Sequence, residues 1–179
     1  MSHTHENRDD KVSLVEMGPR DGLQNETATL SLAQRLALIA RLAESGLQRI
    51  EVGAFVSPKK VPQMADSAAL FNALPRRGPT RYGALVPNLQ GLQAAIAARA
   101  DEIGLFTACS DGFTRANIGI SVEESLVRFA PLVQEARSLG IKVRGYLSTV
   151  IACPFDGPTR PKRVAALAER LLDLGCHEI

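Results

Sequence analysis

The chain has 179 residues, enough to bury a real core, and its length alone suggests one domain. A hydrophobic fraction of 45% and a charged fraction of 22% are those of an ordinary globular protein, and a net charge of +2 with no extended basic face argues against a nucleic-acid partner. Three scattered cysteines argue against a disulfide framework and fit a reducing cytoplasm, and no apolar run approaches the roughly 18–20 residues of a membrane span, so no membrane partner is expected.

Residues 1–10 are polar, lack a signal peptide's apolar stretch and are too acidic for a transit peptide. They read as a disordered tail, with His3 and His5 in it rather than in a metal site. Lys11–Val15 is β-branched and reads as a buried strand. A helix is predicted from Ser31 to Gly46, with Leu32, Leu36, Ile39, Ala40, Leu42 and Ala43 at helical spacing and Gly46 as its stop. Leu47–Val52 reads as the second strand, and a loop rich in Ser57, Pro58, Lys59, Lys60 and Pro62 leads to a short helix around Met64–Ala73. Arg81–Val86 follows as a strand, Leu89–Arg99 as a helix, Glu102–Thr107 as a strand and 108–120 as a loop. The next helix, Ser121–Leu139, opens on Ser121-Val122-Glu123-Glu124, a capping box with acid in the first turn. Lys142–Ser148 is the fifth strand, 149–159 a loop, Pro161–Leu174 a helix, and Cys176–Ile179 the start of a sixth strand. The repeated order of strand, polar loop and helix points to a parallel α/β architecture, and no linker-like stretch divides residues 11–179.

One loop carries most of the chemistry. Gly18-Pro19-Arg20-Asp21-Gly22-Leu23-Gln24-Asn25-Glu26 sits between the first strand and the first helix, the end of a strand where active sites form in βα proteins. Arg20 beside Asp21 sets a fixed cation next to a hard oxygen ligand, a combination that suits a divalent metal and an anionic substrate oxygen. The plainer alternative is a surface loop with a local ion pair.

This run resembles the signature of the hydroxymethylglutaryl-CoA lyases, a family of metal-dependent lyases related to acyl-CoA synthases. Ile50–Lys59, Val61-Pro62-Gln63-Met64, Pro87-Asn88-Leu89, Phe113-Thr114 with Asn117-Ile118, Arg144-Gly145-Tyr146, Cys153-Pro154 and Gly175–Ile179 follow in the family's order, so the resemblance covers nearly everything from residue 11. It implies a (β/α)8 TIM barrel, of which about five βα units and a sixth strand are present. A full barrel needs eight strands and typically ~250 residues. The expectation is therefore the N-terminal portion of a barrel, inactive by itself and prone to aggregate or pair. An open doubly wound sheet is the competing architecture, weakened by the absence of a dinucleotide-binding glycine pattern.

The implied reaction is a metal-assisted retro-Claisen cleavage of 3-hydroxy-3-methylglutaryl-CoA to acetyl-CoA and acetoacetate, as used in leucine degradation and ketone body formation. Asp21 matches the family's metal ligand, for Mg²⁺ or Mn²⁺, and Arg20 its catalytic arginine. Glu51 matches an active-site glutamate that orients Arg20 or a metal-bound water. Gln24, Ser57, Asn117 and Ser148 are expected to contact substrate, each with a structural alternative. The partner is an acyl-CoA, and a homodimer is possible in this family. Lys59 and Lys60 are better placed to meet CoA phosphates than Arg76-Arg77 or Lys162-Arg163. Cys109, Cys153 and Cys176 are expected to pack rather than react.

The chain departs from the family at several positions. Ala54 replaces a serine, Lys60 an aromatic residue and Asp111 a glutamate, and Asn117-Ile118-Gly119-Ile120-Ser121 replaces Asn-Ile-Asn-Cys-Ser. The His-X-His pair that completes the family's metal site does not occur, and His177 falls at the wrong end of a strand. A related aldolase or condensing synthase, and an inert barrel fragment, remain the alternatives.

Overall fold

Four segments alternate polar and apolar residues one by one, and each forms a strand of one parallel sheet. They are β1 (Arg49–Ala54), β2 (Arg81–Leu85), β3 (Glu102–Ala108) and β4 (Lys142–Ser148), hydrogen-bonded in that order. The computed structural model describes residues 12–76 and 78–179. The expectations for the 1–10 tail, Lys11 and Arg77 lie outside them.

Helices connect the strands. α1 (Leu32–Glu44) precedes β1, α2 (Ser67–Ala73) and α3 (Leu89–Ala97) make the next two crossovers, α4 (Asp111–Ile118) and α5 (Val122–Ser138) lie between β3 and β4, and α6 (Pro161–Leu174) follows β4. The capping box predicted at Ser121 forms, and a second one, not predicted, forms at Ser31. Ser31 accepts from the Gln34 N–H at 3.3 Å, and Ser121 accepts from the Glu124 N–H at 3.2 Å. Gly46, with φ +91°, follows α1 in the left-handed region where glycine costs least.

The alternation sorts the sheet into two faces. Ile50, Val52, Tyr82, Ala84, Ile103, Leu105 and Val143 pack against Ile39, Leu70, Phe71, Leu92, Phe129, Leu132 and Leu171 of the helices. The opposite face carries Arg49, Glu51, Gly83, Glu102, Gly104, Arg144 and Tyr146. A bulge between Glu51 and Gly53 sets two β1 residues against one of β2.

Several expectations need correction. Over the described residues 12–15, the strand expected at Lys11–Val15 is not a buried strand: Val12 is 86% and Leu14 68% exposed, and only Glu16 bridges to Ile50. Among the described residues that segment has a neighbour on one side only, and β propensity without a ladder to join does not bury a face. β1 lies two residues later than predicted, which puts Glu51 in mid-strand rather than at the strand's end. The 108–120 loop contains α4, a short and mostly exposed helix with Thr114 as its one buried residue. Its Gly112 N–H donates to Asp156 at 2.8 Å, a tertiary contact invisible to local pattern. The 149–159 loop contains a small antiparallel hairpin, β5 (Ala152–Cys153) and β6 (Gly157–Pro158). The sixth strand is a single bridge from Glu178 to Arg144, with Gly145 N–H donating to the Glu178 carbonyl at 2.9 Å.

Candidate functional site

The loop after Glu16 closes as one π-helical turn over Gly18–Gly22, with the Met17 carbonyl accepting from the Asp21 N–H at 2.7 Å and the Gly22 N–H at 3.4 Å. Turns of this kind are rare and recur at functional sites. The Glu16 carboxylate accepts from the Gly18 N–H at 2.6 Å and braces the entry. The turn buries Arg20 and leaves Asp21 at the surface.

Three side chains distant in sequence then converge on the polar face. Arg20 Nε donates to Glu51 Oε1, and Tyr146 Oη donates to Glu51 Oε2 at 2.6 Å. Arg20 Nη1 donates to Asp21 Oδ1 at 2.8 Å. The Arg20 guanidinium lies 5.9 Å from the Tyr146 ring centroid, within cation–π range. Burial, then the neighbouring Glu51 charge and hydrogen bond, push the Tyr146 phenol well above its ordinary value, against the opposing pull of Arg144 and Arg20. Tyr146 is therefore a proton-bearing donor throughout the neutral range. Both Glu51 oxygens are engaged and the residue is buried, so it is built to hold Arg20. A guanidinium has five N–H donors. With Glu51 and Asp21 each taking one, Arg20 retains donors for an anionic oxygen.

Gly104 makes the meeting possible. A Cβ there would lie 2.5 Å from the Tyr146 ring and 3.0 Å from Glu51 Oε2, so only glycine leaves room for the phenol to reach the carboxylate.

The remaining expected residues are more dispersed. Gln24 lies beyond the turn in the same loop, and its Oε1 is buried without a hydrogen-bond partner among the described residues. Ser57 is exposed in the turn after β1, where its carbonyl accepts from the Lys60 N–H at 2.9 Å. Asn117 is not on a loop as expected but exposed on α4. Ser148 ends β4, half-buried opposite Ala108. Ser57 and Asn117 follow strands and Ser148 ends one, yet no hydrogen bond among the described residues joins Ser57, Asn117 or Ser148 to Arg20, Asp21 or Glu51. Asp111 caps α5 instead, accepting from the Val122 N–H at 2.8 Å. Arg76 is tied to Asp101, the Phe71 carbonyl and the Ala98 carbonyl, which occupies it away from any phosphate. Arg163 donates to the Cys109 carbonyl at 2.5 Å. All three cysteines are buried and free, and burial raises the Cys176 thiol to about 11.

Tyr146 is the residue that sequence reasoning missed. The signal was the alternation itself: Tyr146 shares β4's polar face with Arg144, as Glu51 shares β1's with Arg49.

The exposed Asp21 carboxylate and the unpartnered Gln24 Oε1 are hard oxygen donors of the kind a divalent cation takes. A second grouping, Glu102, His177 and Glu178, lies toward the starting ends of the strands. There Arg49 donates to both carboxylates and Arg144 pairs with Glu178, so cations already occupy those oxygens.

The HMGL-like family model matches residues 11–179. The chain belongs to the HMGL-like family. It is 51% identical over 168 residues to the hydroxymethylglutaryl-CoA lyase of Pseudomonas mevalonii, a match covering 94% of this chain and 56% of that protein. The crystal structure of hydroxymethylglutaryl-CoA lyase from Pseudomonas aeruginosa superposes with a TM-score of 0.91 at 47% identity, covering 94% of this chain and 56% of that one. An HMG-CoA lyase from Acinetobacter baumannii in complex with coenzyme A and 3-methylmalate superposes with a TM-score of 0.87 at 34% identity, covering 91% of this chain and 53% of that one. The chain thus spans about half the length of the HMGL-like relatives it matches, and its parallel sheet is an arc of their TIM barrel.

Proposed function

We propose that this chain forms part of a metal-dependent carbon–carbon lyase that cleaves 3-hydroxy-3-methylglutaryl-CoA to acetyl-CoA and acetoacetate. The observation that carries the reading is the buried Arg20 locked by Glu51 and Asp21 with donors to spare. In a retro-Claisen cleavage the β-hydroxyl gives up its proton to a base, and its carbon becomes a ketone carbonyl as the bond to the α-carbon breaks. That bond's electron pair passes into the thioester enolate, whose oxygen carries the negative charge until the α-carbon takes up a proton to give acetyl-CoA. Arg20 faces that charge from a fixed position, where a donor that need not reorganise has most effect. Glu51 and Tyr146 hold the arginine's orientation. Asp21 and Gln24 would hold Mg²⁺ or Mn²⁺, which when bound supplies Lewis-acid stabilisation of substrate oxygens. Ser57, Asn117 and Ser148 are proposed to contact the acyl-CoA, with Lys59 and Lys60 near the mouth for its phosphates. The three free thiols suit a cytoplasmic location.

A chimera tests the reading. Residues 11–179 replace the matching part of the Pseudomonas mevalonii lyase, and acetoacetate release is followed with Mg²⁺, with Mn²⁺ and with chelator. Metal-dependent release is expected. A folded chimera that does not turn over this substrate overturns the proposal.

A further inference from the structure

Below the Arg20–Glu51–Tyr146 cluster, on the same polar face, lies a second layer of charge. Arg49 donates to Glu102 Oε1 at 3.0 Å and to Glu178 Oε1 at 2.5 Å, and Arg144 pairs with Glu178. Two cations thus meet two carboxylates. A cavity of about 20 Å³ links this layer to the one above, and Arg49, Glu51, Glu102, Arg144 and Tyr146 all line it. Arg144 also lies 6.0 Å from the Tyr146 ring centroid. Glu51 therefore shares this cavity with Tyr146, which holds one of its oxygens, and with Arg49 and Arg144, which hold neither, while Arg20 holds the other.

That choice is not made by strength of attraction. Glu51 Oε2 is held by a neutral phenol, a bond in which only the acceptor is charged, while a guanidinium would add the attraction of a full opposite charge. An unpaired Arg144 lining the same cavity would displace Tyr146 and draw Glu51 away from Arg20. Its engagement with Glu178 prevents this, and Glu102 and Glu178 engage Arg49 in the same way.

We propose that Glu102 and Glu178 are positioning residues: they sequester Arg49 and Arg144, and so leave Glu51 to orient Arg20 through its bond with Tyr146. The inference rests on the reading of Arg20 as the catalytic arginine, but its test does not need turnover.

The chain has two tyrosines and no tryptophan, so in a Tyr82→Phe background Tyr146 is the sole emitter. A carboxylate hydrogen-bonded to a tyrosine quenches its emission. In the 179-residue protein, Glu178→Gln should raise Tyr146 emission, because freed Arg144 takes Glu51. Adding Arg144→Met to Glu178→Gln should return emission to the parent level, and Arg144→Met alone should leave it there. Glu102→Gln with and without Arg49→Met repeats the comparison on the other pair. A merely structural role gives no such rescue, since removing a second side chain then only adds damage. Unchanged emission in folded single variants overturns the proposal, as do double variants no better than the singles by emission or by folding. Should a single variant unfold, recovery of folded protein in its double variant supports it. Failure of the chimera to release acetoacetate would overturn the lyase reading and leave this result standing.

Discussion

At the scale of single residues, the site depends on one guanidinium in one orientation. Arg20→Lys keeps the charge and loses the planar fork that Glu51 and Asp21 hold. In the active chimera it should lower kcat by about 10²–10³ while leaving KM nearly unchanged, because the lost interaction belongs to the transition state. Steady-state kinetics with both metals measure this, and near-native turnover would remove Arg20 from the mechanism. Gly104→Ala acts through space rather than charge. Its methyl group would collide with the Tyr146 ring and crowd Glu51. Overpacking should cost about 1–3 kcal/mol in urea unfolding, and in the Tyr82→Phe background Tyr146 emission should rise. A variant of parent stability and emission would show that the phenol does not need this space.

At the scale of elements, strand register brings the charges together and helix caps hold the frame. Register sets Glu51 opposite Gly83, Gly83 opposite Glu102 and Glu102 opposite Lys142, so Tyr146, farther along β4, reaches back to Glu51 across Gly104. α5 spans the gap between β3 and β4, and its start is fixed reciprocally. Ser121 caps the Glu124 N–H, and Glu124 accepts from the Ser121 N–H at 2.7 Å. Ser121→Ala should therefore cost about 0.5–2 kcal/mol, the usual worth of such a cap. A shift in the urea midpoint with unchanged slope would register it, and no shift would mean that Asp111 alone secures the α5 start. The capping box at Ser121 was legible in the sequence because it lies within four residues; the one at Ser31, equally local, was not read. α4 was not legible, because the contact that steadies its first turn comes from Asp156, 44 residues on from Gly112.

At the scale of the whole molecule, the sheet separates an apolar, helix-covered face from a polar one carrying stacked layers of charge. The lower layer should make stability depend on pH. Burial alone would raise the Glu178 carboxyl, but hydrogen bonding to Arg49 and the charges of Arg144, Arg49 and His177 bring it below its ordinary value. A carboxyl depressed in the folded state adds stability above its unfolded value of about 4.3, and that stability is lost as pH falls through the lower folded value. Melting temperature should therefore fall as the solution is acidified below about pH 4.3, and Glu178→Gln should flatten that part of the profile. An unchanged slope in the variant would place the acid sensitivity elsewhere.

The sequence by itself determined the alternation of β1–β4 with α1, α2, α3, α5 and α6, the cap at Ser121, the polar loop at 18–26 and the placing of Arg20 beside Asp21. These depend on periodicity and on neighbours a few residues apart. It also contained the alternation that divides each strand between two faces, though not which strands would adjoin. Only the tertiary structure decided that Glu51 sits in mid-strand with Arg20 on one oxygen and Tyr146 on the other, 31 and 95 residues away. It likewise decided that Glu178 meets Arg49 across 129 residues of chain. Each of these meetings is set by the register of parallel strands joined by helical crossovers, and register follows from how the helices bury the opposite face.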